Sequence, residues 1–518
     1  TSVERQTIAG RALGDLIRKM GDKVTPSLLP ALQHSIRPTE PLSSRVGACL
    51  AITEVAKALG RNGCLPHMDA LIAILSMAVL DGEYSVHLAA AEAVEALRVA
   101  GGSPVLEELL PSLIAAAGSQ EEEAAQLARH SLRAIIALNG SAALVVLPTL
   151  LAPPLEESQV VSLHVLSEAA GNALSSQTER ILGVLAAGLG DNADNEVMIS
   201  SLQKCIASVA RSAAPHVAVQ AVLEMSKDQT PLRRRSGASV VSVLAETKRI
   251  STESEEEGVV EAAVDMFGLL LPLLKDLDVD TRIAGLAGVE SIVKSGTKTA
   301  AVVLLPSLKQ WLLSSDIAFA DHIPAVESVP KGLGVLLPIC LQGILAGSVE
   351  VRQEASVALG SLLRLASVKS LEPHLLLTMG PLIRIVSDKF PPELRTSLLA
   401  NLGLLMEKGG PGVVRFLRQL QSTFIKLLGD GSRAVRRAAA QNLKLLIAQN
   451  PKLDSLVSEL LACAKAHQAG QREAALQALE GVLLLVGADV PAALKQPCVE
   501  FFDSCLSDPD ELVRLANS

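Results

Sequence analysis

The chain has 518 residues, of which 49% are hydrophobic and only 2% aromatic, and its formal net charge is −9. One closed globule of this size would ordinarily use more Phe, Tyr and Trp in its core. The richest apolar runs, such as 259–274, contain charges or prolines, which argues against a membrane span. The seven cysteines are scattered without a CxxC pair, and this pattern predicts reduced core thiols rather than a disulfide framework or a zinc site.

Both ends of the sequence read as interrupted elements of one repeating unit. Residues 1–21 have the pattern of the second helix of a hairpin, with charges throughout, and they do not resemble a signal peptide. Residues 508–518 open another such helix. Because a repeat array needs polar capping repeats at its ends, we expect the chain to be a fragment of a longer array.

The repeat has a period of about 40 residues. Three aligned copies place apolar residues at spacings of four, four and three, which is one stripe of an α-helix: Val351, Ala355, Leu359 and Leu362, then Leu394, Leu398, Leu402 and Leu405, then Val435, Ala439, Leu443 and Leu446. An arginine recurs near the start of these stretches, 36 to 43 residues apart within two groups: Arg5 and Arg45, then Arg352, Arg395, Arg436, Arg472 and Arg514.

This period is typical of HEAT or armadillo repeats, in which helical hairpins stack and bury one another's apolar faces. We therefore predict an all-α superhelix, a right-handed solenoid of about twelve hairpins. The first helix of many hairpins carries a proline, as in LLPAL at 28–32 and LLPSL at 109–113. A proline inside a helix removes one backbone donor and bends the helix, so these prolines are expected to help set the curvature.

One segment interrupts the period. Arg282 and Arg352 are 70 residues apart, too far for one hairpin, and residues 314–332 lack helical periodicity. We predict a first sub-array at 1–313, an irregular loop or degenerate repeat at 314–333, and a second sub-array with a basic patch at 334–518. The loop is interpreted either as a spacer between sub-arrays or as a docking loop.

Catalytic motifs are missing from the sequence: it has no HExxH, GxSxG, P-loop or dinucleotide fingerprint. The glycine-rich run 409–412 is predicted to be a turn between helices. His87, His130 and His164 are predicted to be partly exposed helix residues rather than ligands or bases. We accordingly expect no enzyme activity, no cofactor and no metal.

Basic residues concentrate between Arg384 and Lys452. This segment has twelve Lys or Arg residues against four acidic ones, an excess of +8 over 69 residues. Such an excess suits an acidic protein surface or RNA phosphates. The alternative is a solvated outer face whose arginines form salt bridges between repeats.

Three blocks of sequence carry a more specific resemblance: the opening SVERQTIAGRALGDLIRKMGDKV, GPLIRIVSDKF at 380–390, and RQLQSTFIKLLGD at 418–430. In this order they resemble the large HEAT-repeat activator of the eukaryotic initiation-factor-two alpha kinase, the translational activator of general amino acid control. The similarity covers essentially the whole chain, including the irregular insertion after Trp311.

The resemblance implies a non-catalytic cytoplasmic scaffold that binds ribosomes and the RWD domain of the kinase, and so promotes phosphorylation of initiation factor two alpha under amino-acid starvation. A partner ABC-type ATPase would be bound by regions outside this fragment. The fragment resembles the C-terminal part of the family's array, which carries the kinase-binding surface. The residues expected to bind the partner are Arg384, Arg395, Arg415, Arg418 and Lys426.

Two alternatives remain open from the sequence. One is a solenoid that binds ribosomal RNA without contacting the kinase, and the other is a karyopherin-like transport adaptor. The motif from Arg433 to Arg437 and the acidic run from Glu253 to Glu257 depart from the family pattern and receive no family role. Arginines at periodic positions are predicted to be structural, whereas Arg384, Arg415 and Arg418 lie outside the rhythm and are predicted to be functional.

Overall fold

The computed structural model describes residues 2–20, 23–119, 121–192, 195–297, 300–314, 332–447, 453–464, 468–487 and 492–516. Within these ranges every regular element is an α-helix or a short 3₁₀ helix, so the all-α prediction is confirmed. The chain divides into two compact units, Thr1–Arg249 and Ile250–Ser518. The loop predicted at 314–333 lies almost wholly outside the described residues.

The first unit begins with α1 and continues as six hairpins, in which each first helix packs against the second helix that follows it. The bounds are α1 Ser2–Met20, α2 Thr25–Ser35, α3 Leu42–Cys64, α4 Met68–Ala78, α5 Tyr84–Gly101, α6 Pro104–Ala117, α7 Glu122–Leu138, α8 Ala142–Leu150, α9 Glu157–Ala170, α10 Thr178–Asp191, α11 Glu196–Ser212, α12 Pro215–Ser226 and α13 Pro231–Glu246.

The described part of the second unit contains six more hairpins, the helix α16, which packs against α18, and a four-residue helix, Val368–Leu371. The bounds are α14 Glu257–Leu270, α15 Val279–Lys294, α16 Leu305–Leu313, α17 Gly332–Ala346, α18 Val349–Leu365, α19 Leu375–Ile385, α20 Pro392–Lys408, α21 Leu417–Leu427, α22 Arg433–Ile447, α23 Leu453–Ala464, α24 Ala469–Val486, α25 Ala492–Leu506 and α26 Glu511–Ala516. The described hairpins therefore number twelve, six in each unit, as the repeat period predicts.

The core lies between the two layers of helices. Eleven of the twelve aligned stripe residues are buried, and Val351 is half-buried. Their second helices α18, α20 and α22 contact one another in sequence, so each stripe is covered by its own first helix and by the neighbouring hairpins. Each buried leucine stabilises the stack by about 2 kcal/mol relative to an exposed one, which is why a single hairpin is not stable alone.

Prolines lie inside first helices, as the sequence pattern indicates: Pro30, Pro111, Pro148, Pro338 and Pro381. The cysteines are free, and six of the seven are buried, with Cys463 partly exposed. Within the described ranges no single helix is long and apolar enough to cross a bilayer. The bent pair α7 and α8, at 118° to each other, meets that test together, by length and composition alone.

One side chain at the start of many second helices closes the turn of its own hairpin. It donates a hydrogen bond to the main-chain carbonyl six residues earlier, in the pairs Arg234–Asp228, Arg282–Asp276, Arg436–Asp430, Arg514–Asp508 and His87–Asp81. His87 thus replaces the arginine of the other hairpins and is 1% exposed. The prediction of a partly exposed residue is wrong for His87, because the turn carbonyl needs a buried donor.

The aspartate of the same turn accepts a second arginine from the preceding hairpin. The ion pairs are Arg45–Asp81, Arg395–Asp430 and Arg472–Asp508, with partners 35 or 36 residues apart. Their side chains are at most 17% exposed. One turn aspartate therefore links two hairpins, since its carboxylate binds one arginine and its carbonyl another donor. Six of the seven periodic arginines thus make structural contacts, as predicted: Arg45, Arg395 and Arg472 pair with a turn aspartate, Arg436 and Arg514 donate to a turn carbonyl, and Arg352 donates to the carbonyl of Gly347 at 2.8 Å.

The pair at the last hairpin predicts an acid-sensitive contribution to stability. Arg472 donates two hydrogen bonds to Asp508, at 2.8 and 2.9 Å, and these lower the pKa of Asp508 below its usual 3.8. The carboxylate is favoured by folding, so this contribution is complete above the unfolded pKa and is lost as the pH falls through the folded one. We expect the difference in melting temperature between the parent and Asp508→Asn to be largest at pH 7 and to close below pH ~3.

Thermal melts followed by circular dichroism between pH 7 and 2.5 test this expectation. Asp503→Asn is the matched control, because Asp503 is exposed on α25 and has no ion pair among the described residues. A melting difference between the parent and Asp508→Asn that stays constant down to pH 2.5 would contradict the ion pair.

Candidate partner-binding surface

The described part of the basic segment, from Arg384 to Lys444, contains two kinds of side chain, and Lys452 lies outside the described residues. Four cations are held by contacts within the repeat stack: Arg395, Lys408, Arg433 and Arg436. Lys408 donates to the carbonyls of Leu363, Arg364 and Ala366 at the end of the preceding second helix, at 2.6 to 3.0 Å. These four side chains satisfy polar groups inside the array and are not available as a cluster to a partner.

Arg395 is the predicted site residue that the structure removes from the surface. Its guanidinium is paired with Asp430, and the Arg395 side chain is 14% exposed. Arg395 also belongs to the periodic arginines, which the sequence predicts to be structural. Its role in partner binding stays a prediction that no contact supports.

Seven other cations are exposed and make no hydrogen bond or ion pair within the described part of the chain: Arg384, Lys389, Arg415, Arg418, Lys426, Arg437 and Lys444. Arg384, Arg415, Arg418 and Lys426 belong to first helices or to the 3₁₀ turn before one of them. Arg437 and Lys444 belong to the second helix α22. The four predicted site residues other than Arg395 therefore share one helix layer.

On that layer the four residues lie in two groups, one at each end of the first helices. Arg384 and Lys426 are each the penultimate residue of their helix, α19 and α21, so they occupy equivalent positions in neighbouring hairpins. Arg415 and Arg418 lie at the other end of α21. Eight residues separate Arg418 from Lys426, a rise of about 12 Å. Arg384 lies outside the arginine period, but Lys426 occupies the equivalent position one hairpin later.

Large apolar side chains are exposed on the first turn of α19 and on the 3₁₀ turn that carries Arg415. Leu376 and Leu377 at the start of α19 are 53% and 68% exposed, and Val414 is 56% exposed. The first turn of α19 packs on the 3₁₀ turn 410–416, because the Leu375 side chain lies 2.6 Å from the place where a Cβ on Gly412 would be. The sequence did not predict this apolar group, since isolated leucines in a leucine-rich helix carry no distinguishing pattern.

The glycine-rich run is a turn, as predicted. Gly409 ends α20, and Gly410 has a φ of +52°, a conformation that favours glycine. A short 3₁₀ helix, Gly410–Phe416, then leads into α21. Among the described residues, no group of three His, Cys, Asp or Glu side chains is arranged to hold a metal ion.

A buried asparagine ladder joins the second helices below this surface. Asn401 donates to the carbonyl of Ser356 at 2.8 Å, and Asn442 donates to the carbonyl of Leu399 at 2.8 Å. Both asparagines are at most 5% exposed. The ladder holds adjacent hairpins in register beneath the exposed cations. Asn401 and Asn442 are 41 residues apart, one repeat period, so the sequence already contained a signal for this ladder.

The stacked hairpins, the capped turns and the interhelical ladders define a HEAT-repeat protein. Residues 143–325 match the family model described as "Stalled ribosome sensor GCN1-like, HEAT repeats". Along its whole length the chain is related to the GCN1 proteins, which confirms the resemblance drawn from the three sequence blocks.

Two relatives show the extent of this similarity. "Stalled ribosome sensor GCN1" of Homo sapiens is 30% identical over 523 residues, covering 100% of this chain and 19% of the relative. "eIF-2-alpha kinase activator GCN1" of Saccharomyces cerevisiae is 27% identical over 498 residues, covering 93% of this chain and 18% of the relative. The chain thus spans about a fifth of the length of the relatives that it matches.

Among solved structures, Kap121p bound to RanGTP covers 94% of this chain and 48% of its own, at 15% identity and a TM-score of 0.31. An overlap this low favours none of the functional alternatives.

Proposed function

We propose that this chain is a scaffold segment in translational control, and that the first-helix layer of its second unit binds the RWD domain of an eIF-2-alpha kinase. The observation behind it is that Arg384, Arg415, Arg418 and Lys426 are exposed on neighbouring first helices and the 3₁₀ turn before one of them, with no ion pair or hydrogen bond in the part of the chain that the structure describes. The relatives' names, a kinase activator and a stalled ribosome sensor, supply the partner class. The scaffold acts in the cytoplasm without catalysis, and the ABC-type ATPase is bound by other regions of the longer array.

The mechanism is positional. A repeat array that binds a kinase regulatory domain at one place and a ribosome at another raises the effective concentration of the kinase near the ribosome. The exposed cations steer an acidic protein surface toward the array and accelerate its association. Leu376, Leu377 and Val414 then supply apolar area that excludes water around the cations.

The same cations would also suit RNA, which is the second candidate function. The exposed apolar group beside Arg415 and Arg418 favours a protein partner, because phosphate-binding surfaces are predominantly polar and positively charged. A salt titration distinguishes the two, since an RNA complex loses affinity steeply with salt for each phosphate contact.

Charge reversal on the first helices tests the proposal. We expect Arg415→Glu/Arg418→Glu to weaken binding of the purified RWD domain at least tenfold, because two attractive rim charges become repulsive. Arg384→Glu/Lys426→Glu tests the other end of the same helices. Fluorescence anisotropy of the labelled domain measures the affinity, and circular dichroism establishes that each variant is folded.

The matched control is Arg437→Glu/Lys444→Glu, which changes the net charge equally but lies on the second-helix layer. It is expected to bind the RWD domain like the parent chain. Undiminished binding by both first-helix variants, with the fold intact, would refute the kinase contact.

A further inference from the structure

Arg437 and Lys444 lie outside the surface assigned to the kinase. Both are exposed on α22, and neither has a hydrogen bond or ion pair in the described part of the chain. They border a groove of about 380 Å³ between α22 and α24, the second helices of successive hairpins. A concave surface with two unpaired cations is a candidate binding site that the proposed function does not use.

The motif from Arg433 to Arg437 shows why one cation is left for the groove. Arg433 donates two hydrogen bonds to the buried carboxylate of Glu473, at 2.6 and 3.0 Å. Arg436 donates to the turn carbonyls of Asp430 and Gly431. Only Arg437, of these three arginines, has no structural partner among the described residues.

The walls of the groove are regular. On α22 the residues Arg437, Gln441 and Lys444 follow one another at intervals of four and three, so they share one face. Gln477 and Glu480 line the facing side of α24. The amide of each glutamine has both a donor and an acceptor, which suits the carbonyl and N–H groups of a peptide backbone.

The floor is kept open by Gly481. A Cβ at this position would lie 3.3 to 3.6 Å from the Lys444 side-chain carbons, so the lysine stem packs over the glycine with its ammonium group in solvent. Leu484, one turn further along α24, is 72% exposed at the Lys444 end of the groove. The groove thus presents two cations, two amides, one carboxylate and one exposed leucine in a fixed order.

The spacing of the cations sets the form of the ligand. Seven residues of α-helix separate Arg437 from Lys444, a rise of about 10 Å. Three residues of polyproline II chain span about 9 Å and return to the same side. Two carboxylates three residues apart on such a chain would therefore meet both cations, and an apolar residue beyond the second carboxylate would meet Leu484.

We propose that the groove between α22 and α24 binds an extended acidic peptide of a partner protein, with two carboxylates three residues apart and an apolar residue after them. Glu480 on the facing wall favours a peptide over an RNA strand, because it accepts a hydrogen bond from a peptide N–H, which the phosphates of RNA do not offer. This site is independent of the kinase surface.

A larger groove in the first unit provides a contrast. It has a volume of about 480 Å³ and lies between α3 and α5. Two of its charged lining residues are paired on their own helices, Lys57 with Glu54 at 3.0 Å and Glu95 with Arg98 at 2.7 Å. Charge complementarity therefore does not select an occupant there as it does between α22 and α24.

Binding of a labelled peptide to the 518-residue chain tests the proposal. The probe is Ser-Glu-Ser-Pro-Glu-Ser-Leu-Ser, measured by fluorescence anisotropy. Arg437→Gln/Lys444→Gln, which keeps much of the side-chain packing, is expected to weaken binding about tenfold, and Arg437→Glu/Lys444→Glu further. Arg384→Glu/Lys426→Glu, with the same charge change on the other layer, is expected to bind the peptide like the parent.

Two comparisons decide the outcome. Replacing both glutamates of the peptide by glutamine, or moving them to adjacent positions, is expected to weaken binding to the parent by the same factor. The proposal would be overturned if the parent chain and Arg437→Gln/Lys444→Gln bound the original peptide with equal affinity. The proposal would also be overturned if a uridine oligonucleotide bound the parent chain more tightly than the peptide does and bound Arg437→Gln/Lys444→Gln more weakly than the parent.

Discussion

Asp430→Ala is expected to lower the free energy of unfolding of the second unit by about 3 kcal/mol, because it leaves a mostly buried arginine without its counter-charge. Arg395 reaches Asp430 from the preceding hairpin, and the two side chains are 14% and 11% exposed. The same carboxylate accepts the main-chain N–H of Ser432 at 2.9 Å. Urea unfolding followed by circular dichroism measures the change.

The preceding hairpin supplies the matched control. Asp388 occupies the equivalent turn position, is exposed, and has no side-chain ion pair among the described residues, so Asp388→Ala should change stability by less than about 0.5 kcal/mol. Adding Arg395→Met to Asp430→Ala should restore part of the loss, since a well-packed apolar residue removes the unpaired charge. Equal effects of the Asp430 and Asp388 substitutions would show that the pair does not hold the hairpins together.

The architecture was predictable because its causes are periodic. The apolar stripe at Leu394, Leu398 and Leu402 repeats wherever a hairpin repeats. An arginine recurs directly after the first stripe residue because each hairpin junction offers it an acceptor, a turn carbonyl for Arg436 and the aspartate of the next turn for Arg395. The buried role of His87 was not predicted, because the other hairpins use an arginine at this position. His87 donates to the turn carbonyl of Asp81 in place of that arginine, and the residue type alone does not reveal the equivalence.

The candidate surface was predictable only in part. Counting charge between Arg384 and Lys452 located the basic segment, but a count cannot separate Lys408 and Arg433, which are bonded to neighbouring repeats, from Arg418 and Arg437, which have no such bond among the described residues. That separation depends on partners 40 or more residues away, such as Glu473 for Arg433. A charge count also does not tell whether a cation lies on a first or a second helix. The structure makes that distinction between the cations of α19 and α21 and those of α22.

The asparagine ladder explains why two helix-interior positions, Gly360 and Gly403, are glycine although neither lies in a turn. A Cβ on Gly403 of α20 would lie 2.8 Å from Oδ1 of Asn442 on α22, and one on Gly360 would lie 2.7 Å from Oδ1 of Asn401. Real Cβ atoms do not approach oxygen so closely, so the asparagine would have to move. Asn442 is fixed by its bond to the carbonyl of Leu399, which makes that movement costly.

Gly403→Val should therefore destabilise the second unit by about 3 kcal/mol through overpacking between α20 and α22. Gly268→Val is the matched control, because Gly268 lies in α14 with no atom within 4 Å of its Cβ position, and there valine is a better helix former than glycine. Adding Asn442→Ala should recover at least 1 kcal/mol of the Gly403→Val loss, as the two sites are in direct contact. Strictly additive effects in urea titrations of the four chains would rule out the steric coupling.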